Sequence, residues 1–196
     1  MTDTGALIDW MNRIAVTVRE HESELTQLDA AIGDGDHGAN LARGFSKVEQ
    51  KLANDPPATP AALFKVVGMT LIGSVGGASG PLYGTLFLEA GKAAGDLVSL
   101  DAAALARCLA AGLAGVKARG RAEQGDKTMV DALAPAVDAL ENGKSLADAV
   151  TAAWAGVEAT KPLVARKGRA SYLGERAVGH ADPGATSSAL LLQAIV

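Results

Sequence analysis

Leu7-Ile8-Asp9-Trp10-Met11-Asn12-Arg13-Ile14-Ala15-Val16-Thr17-Val18 sets the architecture of this chain. Leu7, Trp10, Met11, Ile14 and Val18 recur every three or four residues, and Leu25 and Leu28 continue the stripe. Asp9, Arg13, Arg19, Glu20 and Glu24 fill the other positions. This period predicts one long amphipathic helix over residues 7–28. The same spacing recurs down the chain. Leu41, Phe45, Val48 and Leu52 mark a second helix after residue 38, stopped by Asn54-Asp55-Pro56-Pro57. Thr59-Pro60 supplies an N-cap and a first helical residue for a third, carrying Leu63, Val66, Val67, Thr70 and Leu71. Glycines 73, 76, 77 and 80 make a loop before a fourth helix from Pro81. Asp101 caps a fifth with Leu105, Cys108, Leu109, Leu113 and Val116, and Met129 to Leu140 marks a sixth. Ser145 and Asp148 form a capping box for a seventh, and Asp182-Pro183 opens the last. No segment alternates apolar and polar residues, so no strand is expected. About eight helices on short loops predict an all-α antiparallel up-and-down bundle.

Composition agrees. The chain has 196 residues, room for one domain over 1–196, and 48% of them are hydrophobic but only 4% aromatic. Its 40 alanines imply closely approaching helices filled by small side chains. Eighteen basic residues against 22 acidic ones leave a net charge of −4, which offers nucleic acid and anionic membranes no attraction. A lone cysteine, Cys108, excludes an internal disulfide and reads as a buried thiol. With no signal-like start and no apolar run approaching the ~20 residues of a membrane span, a cytoplasmic protein is expected.

The chemistry gathers at four connections. Leu28-Asp29-Ala30-Ala31-Ile32-Gly33-Asp34-Gly35-Asp36-His37-Gly38 places three carboxylates within eight residues. Oxygen ligands of this kind suit Mg²⁺ completed by substrate phosphates; a solvated turn with aspartates serving as caps is the other reading. Gly33-x-Gly35-x-x-Gly38 matches a dinucleotide fingerprint only formally, because a helix precedes it and two aspartates would face the pyrophosphate. Calcium-loop spacing fails at Asn40 and Phe45, where glutamate is required. In Gly120 to Thr128, Asp126 interrupts a phosphate-loop pattern that also lacks a preceding strand. Gly76-Gly77-Ala78-Ser79-Gly80-Pro81 and Asp182-Pro183-Gly184-Ala185-Thr186 are helix starts with backbone N–H groups suited to anions, though each alone also fits ordinary packing. Finally, residues 161–182 form a long connection carrying Lys161, Arg166, Lys167, Arg169 and Arg176, and loops of that length are usually functional or disordered. In an up-and-down bundle the loops at 29–38, 73–81, 117–128 and 161–182 share one end. Carboxylates, helix N-termini and cations on one rim suit a nucleotide diphosphate with metal.

Four stretches in register, I-G-D-G-D-H-G-x-N at 32–40, S-V-G-G-A-S-G-P-L-Y-G-T at 74–85, G-x-A-x-x-G-D-K-T-M at 120–129 and the segment 165–186, closely resemble the nucleotide-binding (L) subunit of dihydroxyacetone kinase. The resemblance spans nearly the whole chain. It implies an eight-helix, barrel-like bundle holding ADP and two Mg²⁺ at one end, with Asp29, Asp34 and Asp36 as metal ligands. By the same resemblance His37, Gly38, Ala39, Asn40, Ala78, Ser79, Gly120, Met129, Arg169, Asp182, Pro183 and Gly184 surround the ADP, and the three aspartates with Arg169 serve catalysis. It implies that ADP stays bound, is phosphorylated by a phosphohistidine-carrying phosphotransferase subunit, and passes the phosphoryl group to dihydroxyacetone held on a separate K subunit. An ATP-exchanging kinase subunit for a related small ketose or polyol is the alternative, and a nucleotide-bound module for a transcriptional regulator is another. The resemblance leaves a homodimer open. Gly35, where some relatives carry another small residue, adds flexibility between the second and third aspartates.

Overall fold

A computed structural model describes residues 2–196. Among them the chain forms nine α-helices, α1 (Thr4–Glu20), α2 (Glu22–Ile32), α3 (His37–Asn54), α4 (Pro60–Ser74), α5 (Ser79–Ala94), α6 (Ala102–Gly120), α7 (Val130–Glu141), α8 (Leu146–Thr160) and α9 (Pro183–Gln193). A 3-10 segment, Arg169–Ala177, lies between α8 and α9. The fold is all-α, as the periodicity predicts, with two corrections. First, the expected long helix is two. His21 leaves helical geometry at φ −100°, ψ 10°, and its Nδ1 lies 2.8 Å from the Thr17 carbonyl. The break is silent in the apolar pattern because Val18 and Leu25 are seven residues, two turns, apart and stay in phase. Second, Thr2–Asp3 (β1) pairs antiparallel with Ser99–Leu100 (β2), a ladder too short to show any alternation.

Each helix from α3 onward packs on its successor in the chain, and α1 packs on both α3 and α9, so the circuit closes. The closing seam is polar as well as apolar. The Trp10 indole N–H donates to the Leu191 carbonyl at 3.0 Å, and Arg13 Nε donates to the Ala194 carbonyl at 2.7 Å. Inside, Leu7, Met11, Ile14, Leu41, Phe45, Val48, Leu63, Val67 and Leu71 are fully buried, each contributing about 1.5–3 kcal/mol by leaving water. Cys108 is buried among them, as expected. The paucity of aromatics is met by close helix approach. At the α4–α5 crossing a Cβ on Gly68 would lie 2.8 Å from the Gly84 carbonyl oxygen, so only glycine lets these backbones meet.

The two ends of the bundle are finished differently. At one end the helix starts carry side-chain caps: Asp3 accepts from Ala6 N–H, Thr59 from Ala62, Asp101 from Ala104, and Ser145 with Asp148 forms the predicted reciprocal box. Hydrogen bonds from Ser145 hold the Asp148 carboxyl below the usual carboxylate range. At the other end α9 is capped by Asp182, the first N–H groups of α3 are taken by the Asp29 carboxylate, and α5 begins without any side-chain cap. A helix start left this way keeps free N–H groups and a positive dipole end.

Candidate nucleotide and metal site

The end of the bundle at the starts of α3, α5 and α9 encloses a cavity of about 360 Å³, within the range of small-molecule sites. All four connections predicted to share one rim contribute to its wall.

The acidic corner is built around Asp29, on the last turn of α2. Its Oδ2 accepts the backbone N–H groups of Asp36 (2.9 Å) and His37 (3.2 Å), so the carboxylate sits on the first residues of α3. A Cβ on Gly33 would collide with the Asp29 carboxylate, which explains a glycine there. Gly35, at φ +74°, turns the chain so that Asp34 and Asp36 come back toward Asp29. One oxygen from each of the three carboxylates then lies within 4.8 Å of the others. Among the described residues one cation compensates them: Arg169 Nη2 approaches Asp34 Oδ2 at 2.9 Å, and its side chain is 66% exposed, so the pair is a weak, solvent-screened one. Three converging carboxylates facing one exposed guanidinium fit a divalent cation with oxygen ligands.

His37 lies directly beside this corner and is buried. Its Nδ1 meets Ser79 Oγ at 3.1 Å and its Nε2 meets Ser187 Oγ at 2.8 Å, joining the starts of α3 and α5 to α9. Burial pushes its pKa down despite the nearby aspartates, which leaves a neutral ring holding helices together. The network continues to Tyr83, whose hydroxyl lies 2.6 Å from Ser187 Oγ and 2.9 Å from Ser188 Oγ, with burial pushing its pKa up to about 12. The remaining wall comes from Gly76 to Ser79, from Val116, Arg119, Gly120 and Ala122, from Lys127 to Val130, and from Asp182 to Gly184. Lys167, Gly168 and Arg169 close one side. Asp182 caps α9 through the Ala185 N–H at 2.7 Å, and burial raises its carboxyl to about 7.

Of the residues singled out in the sequence, Asp29, Asp34, Asp36, His37, Ala78, Ser79, Gly120, Met129, Arg169, Asp182, Pro183 and Gly184 all line the cavity. Gly38, Ala39 and Asn40 are set back in the first turn of α3. Gly38 packs against the Glu22 carbonyl and Thr26, and Asn40 faces Arg43. Sequence reasoning passed over Arg119, which looks like an ordinary last-turn cation of α6, and over Asp131. The Asp131 carboxylate accepts from Gly125 N–H at 2.5 Å and Thr128 N–H at 2.7 Å, and so shapes the loop before α7. A carboxylate three residues after Thr128, at the second residue of α7, was the available signal.

The DAK2 domain family matches residues 31–196. The PEP-dependent dihydroxyacetone kinase 1 ADP-binding subunit DhaL of Listeria innocua is 49% identical over 194 residues, 99% of this chain and 96% of that protein. The corresponding DhaL subunit of Escherichia coli is 43% identical, over 95% of this chain and 93% of its own length. The solved dihydroxyacetone kinase of C. freundii in complex with AMP-PNP and Mg²⁺ superposes with a TM-score of 0.76 at 33% identity, over 95% of this chain; the chain spans about a third, 32%, of that one. With matched motifs, full-length relatives and a shared all-α fold, the chain belongs to the DAK2 domain family, alongside the DhaL subunits of dihydroxyacetone kinases.

Proposed function

We propose that this chain is the nucleotide-carrying subunit of a dihydroxyacetone kinase, a phosphotransferase active only with partner subunits. The observation that carries the reading is the meeting, in one cavity, of three convergent carboxylates, the uncapped start of α5, and the cations Arg119, Lys167 and Arg169. Bound ADP would supply the carrier of a phosphoryl group between a phosphohistidine-carrying subunit and dihydroxyacetone on a K subunit, and magnesium, two ions by family resemblance, would neutralise phosphate charge.

The residues of the chain then do three things. Asp29, Asp34 and Asp36 hold the metal, Asp29 being oriented by the two N–H groups at the start of α3. The free N–H groups at the α5 start, with Ser79, and the guanidinium of Arg169 receive anionic oxygens and orient them. Met129, Leu82 and Val116 give the cavity an apolar side suited to a nucleoside. Phosphoryl transfer asks of the protein chiefly positioning and charge stabilisation, and these three roles supply both.

The deciding experiment denatures purified protein and assays the released ADP and magnesium. Near-stoichiometric ADP with magnesium supports a retained cofactor, and mixing with the phosphohistidine donor then converts it to ATP. Nucleotide-free protein that binds ATP weakly favours the exchanging kinase instead. Asp34→Ala abolishes retention on this reading; unchanged retention removes Asp34 from the metal site.

A further inference from the structure

Lys127 is the one lysine whose side chain is fully enclosed, 1% exposed, on a loop residue at φ +62°. Its ammonium has no carboxylate in ion-pair reach among the described residues. Instead Nζ lies within hydrogen-bond distance of four backbone carbonyls: Thr160 (2.9 Å), Leu163 (3.2 Å), Ala177 (2.8 Å) and His180 (2.7 Å). Three protons shared among four oxygens resemble the way a dehydrated monovalent cation sits among carbonyl dipoles.

The position of those carbonyls gives the cage its meaning. Thr160 and Leu163 lie where α8 ends; Ala177 and His180 lie where the 3-10 segment ends and the chain approaches α9. Lys127 therefore ties both feet of the 161–181 strap to one point. Other bonds gather there too: Gly179 N–H donates to the Lys161 carbonyl at 2.8 Å, and Asp182 N–H to Thr160 Oγ1 at 2.9 Å. Between the feet the strap carries Lys167, Gly168 and Arg169 across the cavity, and its own apolar footing is small: Ile32, Ala165, Ala170 and Ala177 with part of Leu173. A footing of that size leaves the strap's order to its polar ties. Burial lowers the Lys127 pKa, a cost that the four carbonyls offset.

We infer that Lys127 is a positioning residue: its ammonium is the built-in cation that holds the 161–181 strap in place and so sets Arg169 at the acidic corner, acting on the bound nucleotide through Arg169. This deepens the nucleotide-carrying reading and rests on it for its effect on ADP, but the hold on the strap stands apart from any ligand.

The test uses the full chain, stripped of nucleotide, as wild type, Lys127→Met, Arg169→Ala and the double variant. Hydrogen exchange followed by mass spectrometry is expected to quicken about tenfold or more in 161–181 of Lys127→Met while α4 and α5 keep wild-type protection. Titration with ADP and Mg²⁺ is expected to show about ten- to hundredfold weaker binding for each single variant, with no further loss in the double. General destabilisation would instead make the two losses add. Unchanged exchange in the strap, or fully additive losses, overturns the proposal. Should Lys127→Met fail to fold, Lys127→Gln, whose amide keeps two donors, is run through the same cycle with the same criteria. A wild-type chain that binds no ADP sinks the nucleotide reading, and the exchange measurement then decides the role of Lys127 by itself.

Discussion

Asp29 accepts two backbone N–H groups with one oxygen and turns the other toward Gly33, so its aim depends on a residue with no chemistry of its own. Gly33→Ala is expected to push the carboxylate out of the cluster and weaken magnesium-dependent ADP binding by about 10–100-fold, a cost typical of disturbing the groups behind a metal ligand. Calorimetric titration at several magnesium concentrations reads it, and equal loss without magnesium would argue against a metal-directed effect. Asp182 supplies a pH effect of definite sign. Its buried carboxyl keeps its proton up to about 7, whereas in the unfolded chain it ionises near 4. Across that window the unfolded state holds fewer protons, so this residue makes the nucleotide-free protein less stable as pH rises from about 4 to 7, and no further above. Urea denaturation across that range is expected to show a shallower decline for Asp182→Asn, which retains an oxygen for the Ala185 N–H. At this scale the sequence was legible where residue type and crowding coincide, as in the three aspartates. It was illegible for Lys127, because lysine is almost never fully buried and nothing local announces four carbonyls contributed by residues 33 to 53 positions away.

The helices show the same division. Thr59-Pro60, Asp101 and Ser145-x-x-Asp148 could be read as starts because capping is local chemistry, and all three caps are formed. The break at His21 could not, since the apolar phase runs through it. Nor could the 3-10 segment Arg169–Ala177, whose only buried residues are two alanines, too few to make a period. The caps of α1, α4, α6 and α8 stand at the end of the bundle away from the cavity. Ser145→Ala is therefore expected to cost about 1 kcal/mol in urea denaturation while ADP retention stays at the wild-type level. A fall in retention at constant stability would contradict this separation of the two ends.

For the molecule as a whole, the convergence of four distant connections follows from up-and-down topology, and that much could be inferred by counting helices. The count survives because α1 and α2 together replace a single predicted helix without reversing the order of ends. Ligand and fold are then linked by mass action. With ADP about a hundredfold above its Kd, chelation of magnesium by EDTA is expected to release the nucleotide and lower Tm by about 5–10 °C; an unchanged Tm in a protein shown to contain ADP would detach the site from global stability. No helix among the described residues is long and apolar enough to cross a membrane.

The last helix has two employments. Its first residues, Pro183 and Gly184, stand in the cavity wall, while the carbonyls of Leu191 and, just beyond its end, Ala194 receive Trp10 and Arg13 at the seam where the circuit closes. At about 1.5 Å per residue, its eleven residues make a stiff rod some 16 Å long. One short rod therefore joins the cavity wall to the seam between the first helix and the last.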